Sequence, residues 1–165
     1  MTVWVVVSML VVFFRGFTQA RLRGEAEQVA AQYQPSLGAG WYPLEVDQFP
    51  SAAGASRPVW IGLNYSRAAV STLDLRPGWH RLSLRLSPVS CAGGQPPRVS
   101  VQQGRTTVGH LALAPGWSWY AVRLDGGPRH ISLHYSCVLT QRIPGLGLQG
   151  ARTLAVALAG IRGTG

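Results

Sequence analysis

From residue 40 onward the chain is a succession of short runs in which apolar and polar residues alternate, with turn residues between them. Leu82, Leu84 and Leu86 alternate with Arg81, Ser83, Arg85 and Ser87. A period of two places alternate side chains on opposite faces, so this run predicts a strand with one buried and one wet face. Val99 and Val101 lead into Gln103-Gly104-Arg105, a hairpin-like turn, and Leu111 and Leu113 follow it. Tyr120, Val122 and Leu124 alternate with Trp119, Ala121 and Arg123. Ile131, Leu133, Tyr135 and Cys137 alternate with His130, Ser132, His134 and Ser136. In the closing run TLAVALAGI, Leu154, Val156 and Leu158 face one way and Ala155, Ala157 and Ala159 the other. Neither set is polar, which predicts a strand covered on both sides. Many short strands separated by turns are the pattern of a sandwich or barrel, and the fold class expected is an all-β sandwich over residues 40–165.

Two of the turns are built alike. Pro77-Gly78-Trp79 precedes LSLRL, and Pro115-Gly116-Trp117 precedes a run with further aromatics. Proline fixes φ and lacks a donor, glycine permits positive φ, and together they end one strand and begin another. The spacing occurs once, which is too little for a repeat array and fits two equivalent corners of one sandwich. Trp79 and Trp117 are expected to be structural. Trp119 has the opposite parity to Tyr120, Val122 and Leu124, so it is expected on the wet face. Sugar rings stack on such a ring through their apolar faces while arginine or asparagine supplies hydrogen bonds. Trp119 with Arg123 is therefore the candidate ligand-binding pair, against the alternative that Trp119 packs under a loop or on a partner subunit.

The amino-terminal part is different. Thr2 to Phe14 reads TVWVVVSMLVVFF and carries no charge. It is short for a membrane span, which needs ~20 apolar residues, but Gly16, Phe17 and Ala20 extend it if Arg15 snorkels. A cleaved signal peptide is the rival reading, weakened by the lack of a positive n-region. Good helix formers follow to Tyr33, and Pro35 stops them. One helix from about Val3 to about Tyr33 is expected. The organisation that follows is a membrane anchor and helical stalk over 1–34, a linker over 35–39 and the sandwich beyond. Arg15, Arg21 and Arg23 after the span favour a cytoplasmic domain by the positive-inside rule. Cys91 and Cys137 point the other way, because an isolated pair on strand-like runs reads as one disulfide and needs an oxidising compartment. The expectation adopted is a single-pass protein of the cell membrane with its domain on the extracytoplasmic side.

Charge changes the picture less than its size suggests. The formal charge is +9, yet every basic residue is arginine and they are scattered singly, so nucleic acid is not the expected partner. Acids are scarce: Glu25, Glu27, Glu45, Asp47, Asp74 and Asp125 are all there are. Paired carboxylates for glycoside hydrolysis and oxygen ligands for calcium are thus poorly supplied. His130 and His134 lie too far apart along one strand to chelate a metal, and a zinc site would need His80 or His110 brought in by the fold. No Gly-x-Ser-x-Gly is present. No catalytic residue, metal or cofactor is assigned. Asn64-Tyr65-Ser66 matches the N-glycosylation sequon.

The order of these features resembles a known class of domain. It runs from Gly40-Trp41-Tyr42 and Glu45 through Trp60, the first Pro-Gly-Trp, the hairpin at Gly104 and the second Pro-Gly-Trp. It ends with the IPGLGL loop (Ile143 to Leu148) and a closing Arg152-Thr153-Leu154-Ala155-Val156-Ala157-Leu158. From roughly Gly40 to Arg162 this is similar to the jelly-roll, carbohydrate-binding-module-like domains on the outer side of bacterial membrane proteins, often beside multi-spanning glycosyltransferases. The chain departs from that pattern at Ala155, where glycine is expected, and in its cysteine pair. The resemblance implies a non-catalytic, membrane-anchored sandwich that recognises glycans or supports an envelope-glycan enzyme. The alternative is a structural single-span subunit of a larger membrane or surface assembly, pilin-like, although the early glutamate of a pilin helix is missing. Expected partners are the membrane and either a glycan or another membrane-protein subunit.

Overall fold

A computed structural model describes residues 18–49, 59–142 and 151–165. Helix α1 covers residues 18–31, and a 3-10 turn, Gln34–Ser36, follows it. The described strands are β1 (Glu45–Phe49), β2 (Val59–Tyr65), β3 (Val70–Asp74), β4 (Arg81–Pro88), β5 (Arg98–Gln103), β6 (Thr106–Ala112), β7 (Ser118–Arg123), β8 (His130–Tyr135), β9 (Leu139–Arg142), β10 (Ala151–Leu154) and β11 (Val156–Thr164). They form a five-stranded sheet in the order β1-β2-β11-β4-β7, a four-stranded sheet in the order β3-β8-β5-β6, and the pair β10-β9. The strand pairs are antiparallel.

The alternation dictates which face is inside. Leu82, Leu84 and Leu86 of β4 are wholly buried, as are Val99 and Val101 of β5 and Ile131 and Leu133 of β8. They meet in one core between the two sheets, with Val122, Leu124, Val156 and Leu158. This is the β-sandwich that the alternation predicts. The closing run is covered on both sides, but it is broken at Ala155 into β10 and β11, and Ala155, expected on the face opposite Val156 and Leu158, joins the core with them. Val156 and Leu158 join the core, whereas Ala157 and Ala159 lie with Ile61 and Leu63 in a second cluster on the other face.

The two Pro-Gly-Trp corners share the backbone twist at their glycines. Gly78 and Gly116 both have φ of 82°, the left-handed value required after proline in a type II turn. Their tryptophans then go to opposite faces. Trp79 packs against the inner core, lying so close over Gly163 of β11 that a Cβ there would overlap its ring. Trp117 packs against the outer cluster of Ile61, Leu63, Ala157 and Ala159.

Helix α1 is docked on the sandwich and does not stand off as a stalk. Ala26, Ala30 and Tyr33, spaced on one helical stripe, are buried. Gly62 receives them: a Cβ there would come within 2.9 Å of the Ala30 Cβ. The Tyr33 hydroxyl donates between two sheet carbonyls, 3.1 Å from Gly62 O and 3.2 Å from Leu158 O. Burial pushes its pKa well above the ordinary tyrosine value. Residues 35–39, expected as a linker, run along β3: Leu37 bridges Leu73, and Gly38 N donates to Thr72 O at 3.0 Å. Glycine-to-threonine pairing of this kind satisfies backbone groups that a free linker would leave to water. The expected anchor over Thr2 to Phe14, and the first half of the long helix, lie outside the described residues. No described helix is long and apolar enough to cross a membrane.

Cys91 and Cys137 are bonded, with Cα atoms 6.0 Å apart, within the range that a disulfide requires. Both lie in connections and not on strands: Cys91 between β4 and β5, Cys137 just beyond β8. The bond therefore ties an end of the five-stranded sheet to an end of the four-stranded one.

Candidate functional site

Trp119 stands where its parity places it, on the outer face of the five-stranded sheet, with 42% of its surface exposed. Strand order supplies its neighbours. Across β11, β4 and β7, one outward row reads Gly160, Arg85, Trp119. The next reads Arg162, Ser83, Ala121, and the third Thr164, Arg81, Arg123. The inward residues between them, Leu82, Leu84 and Val122, are the core. The face thus presents one exposed tryptophan among four arginines, Arg81, Arg85, Arg123 and Arg162. We call it the basic face.

The ring of Trp119 lies across β4 toward β11. Its Cη2 would be 2.9 Å from a Cβ at Gly160, so the lack of a side chain there leaves room for the ring. The Arg162 guanidinium sits over the ring at 4.3 Å from its centroid. Such a stack is worth ~0.5–1 kcal/mol at an exposed site. Arg85 reaches instead toward Trp117, 5.8 Å from that centroid. Arg123, expected as the partner of Trp119, shares its face, but four residues of strand separate them by ~13 Å. The residue that stacks on the Trp119 ring itself is Arg162.

Among the described residues, the ion pairs engage Arg21, Arg23, His130 and Arg152, and none of the four arginines of the basic face. Arg81 and Arg123 are direct cross-strand neighbours. Like charges in that relation are destabilising by a few tenths of a kcal/mol to ~1 kcal/mol.

The outer face of the four-stranded sheet is also polar. A groove of about 520 Å³ is lined by Arg98, Ser100, His110, His134 and Ser136, among others. Ser100 Oγ lies 3.1 Å from His110 Nδ1, Ser132 Oγ lies 3.1 Å from His134 Nε2, and His130 Nδ1 lies 2.8 Å from an Asp74 carboxylate oxygen. Serine, histidine and aspartate are thereby divided among separate pairs and do not form a relay. No group of three or more His, Cys, Asp and Glu side chains gathers among the described residues.

A third cluster unites both ends of the sequence pattern. Arg152 of β10 binds both carboxylate oxygens of Glu45 on β1, and its guanidinium lies 4.4 Å from the Tyr42 ring centroid and 5.6 Å from that of Tyr65. Hydrogen bonding to Glu45 raises the Arg152 pKa above its ordinary value. This is an internal clasp, because its charges are already matched. Asn64 of the sequon is likewise occupied. It is 1% exposed, accepts from Gln34 Nε2 at 2.5 Å and donates to Tyr42 O at 2.9 Å, so the folded chain offers it to no glycosylating enzyme.

No family model and no curated protein matches the chain. Among solved structures it is similar to a variant of a family 29 carbohydrate-binding module, studied for its ligand recognition. The identity is 8%, the likeness covers 76% of this chain and 74% of that one, and the TM-score is 0.36. At that level the likeness carries no weight for the site. The β-sandwich rests on the strand pairing and core described above.

Proposed function

We propose that this chain is a non-catalytic glycan-recognition domain that holds sugar rings on the basic face. The observation that carries the reading is the exposed Trp119 on an ordered strand, with guanidinium donors in the adjacent rows. A pyranose ring gains by covering the apolar indole, and its hydroxyls are acceptors for arginine N–H groups. An aromatic anchor of this kind concentrates binding free energy in one residue.

Titration of the folded chain with oligosaccharides, followed by calorimetry, tests it. Trp119→Ala should weaken binding about tenfold or more, a loss of ~1.4 kcal/mol, with little change in melting temperature. Equal binding by wild type and Trp119→Ala would sink the proposal.

The domain is proposed to work outside the cytoplasm, tethered by the apolar segment 2–14. The Cys91–Cys137 bond supports this placement, because disulfides persist in oxidising compartments. Protection of the domain from protease added to intact cells would argue against it. A second reading has one observation in its favour. Leu22 and Val29, seven apart on the outward side of α1, are 41% and 54% exposed. That stripe suits docking against another membrane-protein subunit. Charged substitutions at both positions should release the chain from such a subunit, and unchanged co-purification would exclude it.

A further inference from the structure

Among the described residues, no ion pair engages the arginines of the basic face. Resting on the glycan-binding reading above, we propose that the ligand of this face is an acidic glycan, one whose sugars carry carboxylate or phosphate groups.

The argument begins with Arg162. Its guanidinium lies over the Trp119 ring at 4.3 Å, so it occupies aromatic surface that a sugar would need. A neutral sugar must displace the guanidinium and offers it only hydroxyl oxygens in return. An acidic sugar offers an anionic acceptor, and a guanidinium binds a carboxylate or phosphate through paired, charge-assisted hydrogen bonds. The same movement that seats Arg162 on the anion uncovers the ring for stacking. Arg162 therefore acts as a selectivity gate on the face of Trp119.

The second step is the row of Arg81 and Arg123. They face each other directly across β4 and β7, both exposed and without an ion pair among the described residues. An anion placed between them relieves their repulsion as well as adding its own attraction. From Arg81 to Arg85 along β4 the face extends ~13 Å, long enough to follow a chain of several sugars and not merely one. Discrimination against nucleic acid comes from geometry: among the described residues the face presents one exposed ring, Trp119, where single-stranded nucleic acid binding relies on successive stacking platforms.

The test uses probe pairs that differ only in charge: oligogalacturonate against its methyl ester, and phosphorylated mannan against plain mannan. They are titrated into the full chain, with a single-stranded oligonucleotide as a further arm. The acidic member of at least one pair should bind about tenfold tighter at low salt, and the advantage should shrink as ionic strength rises. The pair that shows the difference identifies carboxylate or phosphate as the source. Arg162→Ala should weaken the acidic member severalfold and strengthen the neutral one, while Trp119→Ala weakens both. Melting curves establish that each variant is folded, and Arg162→Lys serves as the conservative control, keeping charge but losing paired geometry. If neutral and acidic members bind equally, the inference fails and the glycan platform stands. If none of the saccharides binds, both fail. Oligonucleotide binding as tight as that of the best saccharide also overturns the proposal and makes the face a general polyanion surface.

Discussion

On the outer face of the four-stranded sheet, each of the histidines of β6 and β8 already has a partner: Ser100 for His110, Ser132 for His134, Asp74 for His130. On the outer face of the five-stranded sheet, Arg81 and Arg123 stand opposite each other with no ion pair among the described residues, and Trp119 is exposed beside them. Both groups are polar, and both sit on strands whose inward side chains are buried. They differ in whether the polar groups are consumed internally. A ligand on the first face must compete with hydrogen bonds that exist already. On the second it meets arginines that no ion pair engages among the described residues, and an exposed ring on which Arg162 stacks. The groove lies on the first face, whereas the unmatched charges lie on the second.

The largest test of this comparison concerns the bond that holds both faces in one body. The Cys91–Cys137 link closes a sequence separation of 46 residues. By loop-closure entropy, losing it should cost ~4 kcal/mol. Denaturant unfolding of a Cys91→Ser, Cys137→Ser variant measures it. Below its new melting temperature the variant should still bind at the basic face, since the bond joins connections outside the strands that carry the arginines of that face. Lost binding in a folded variant would show that the two faces are coupled and cannot be compared as independent surfaces.

Next in size are the tryptophans. Trp79 packs on the inner core over Gly163, whereas Trp119 lies on the surface against Gly160. Trp79→Ala should destabilise by ~3 kcal/mol, and Trp119→Ala by less than ~1 kcal/mol. Thermal melts of both variants decide it. A collapse caused by Trp119→Ala would mean that its ring is structural, and the basic face would lose its anchor.

Strand parity made much of this readable in advance. The inward leucines of β4, the outward Trp119 and the double-sided burial of β11 all follow from counting by two. Arg162 does not. Counted from Leu158, it has the parity of the buried set, but a register shift between Leu158 and Gly160 turns Gly160 and Arg162 outward. A bulge of this kind leaves no clear mark in composition. Nor does any local pattern reveal that β11 and β7 flank β4, which is what brings Arg162 to Trp119. For the helix, the run of helix formers ending at Pro35 marks the element. Which of its apolar residues are buried depends on a receiving surface, Gly62 on a strand far along the chain, that no local pattern marks.

The smallest expected effect is also the one that separates the faces most cleanly, because a charge exchange should have opposite signs on the two. If Arg81 and Arg123 are ordinary solvated side chains, exchanging one of them should leave stability nearly unchanged. If they form an unmatched, ligand-directed pair, Arg123→Glu should stabilise the fold. It replaces a like-charge cross-strand pair with an opposite-charge one at the register position Arg81↔Arg123. The gain should be a few tenths of a kcal/mol to ~1 kcal/mol, and should fall with added salt because both side chains are exposed. The same change should weaken acidic glycans, since it removes one cation and adds an anion to the face. On the four-stranded sheet the matching exchange, Asp74→Arg opposite His130, should lower stability, because it breaks a pair that exists. Chemical denaturation of the two variants at low and high salt measures both signs. Destabilisation by Arg123→Glu would mean that this arginine already has a structural role, and the contrast between a matched and an unmatched face would not hold.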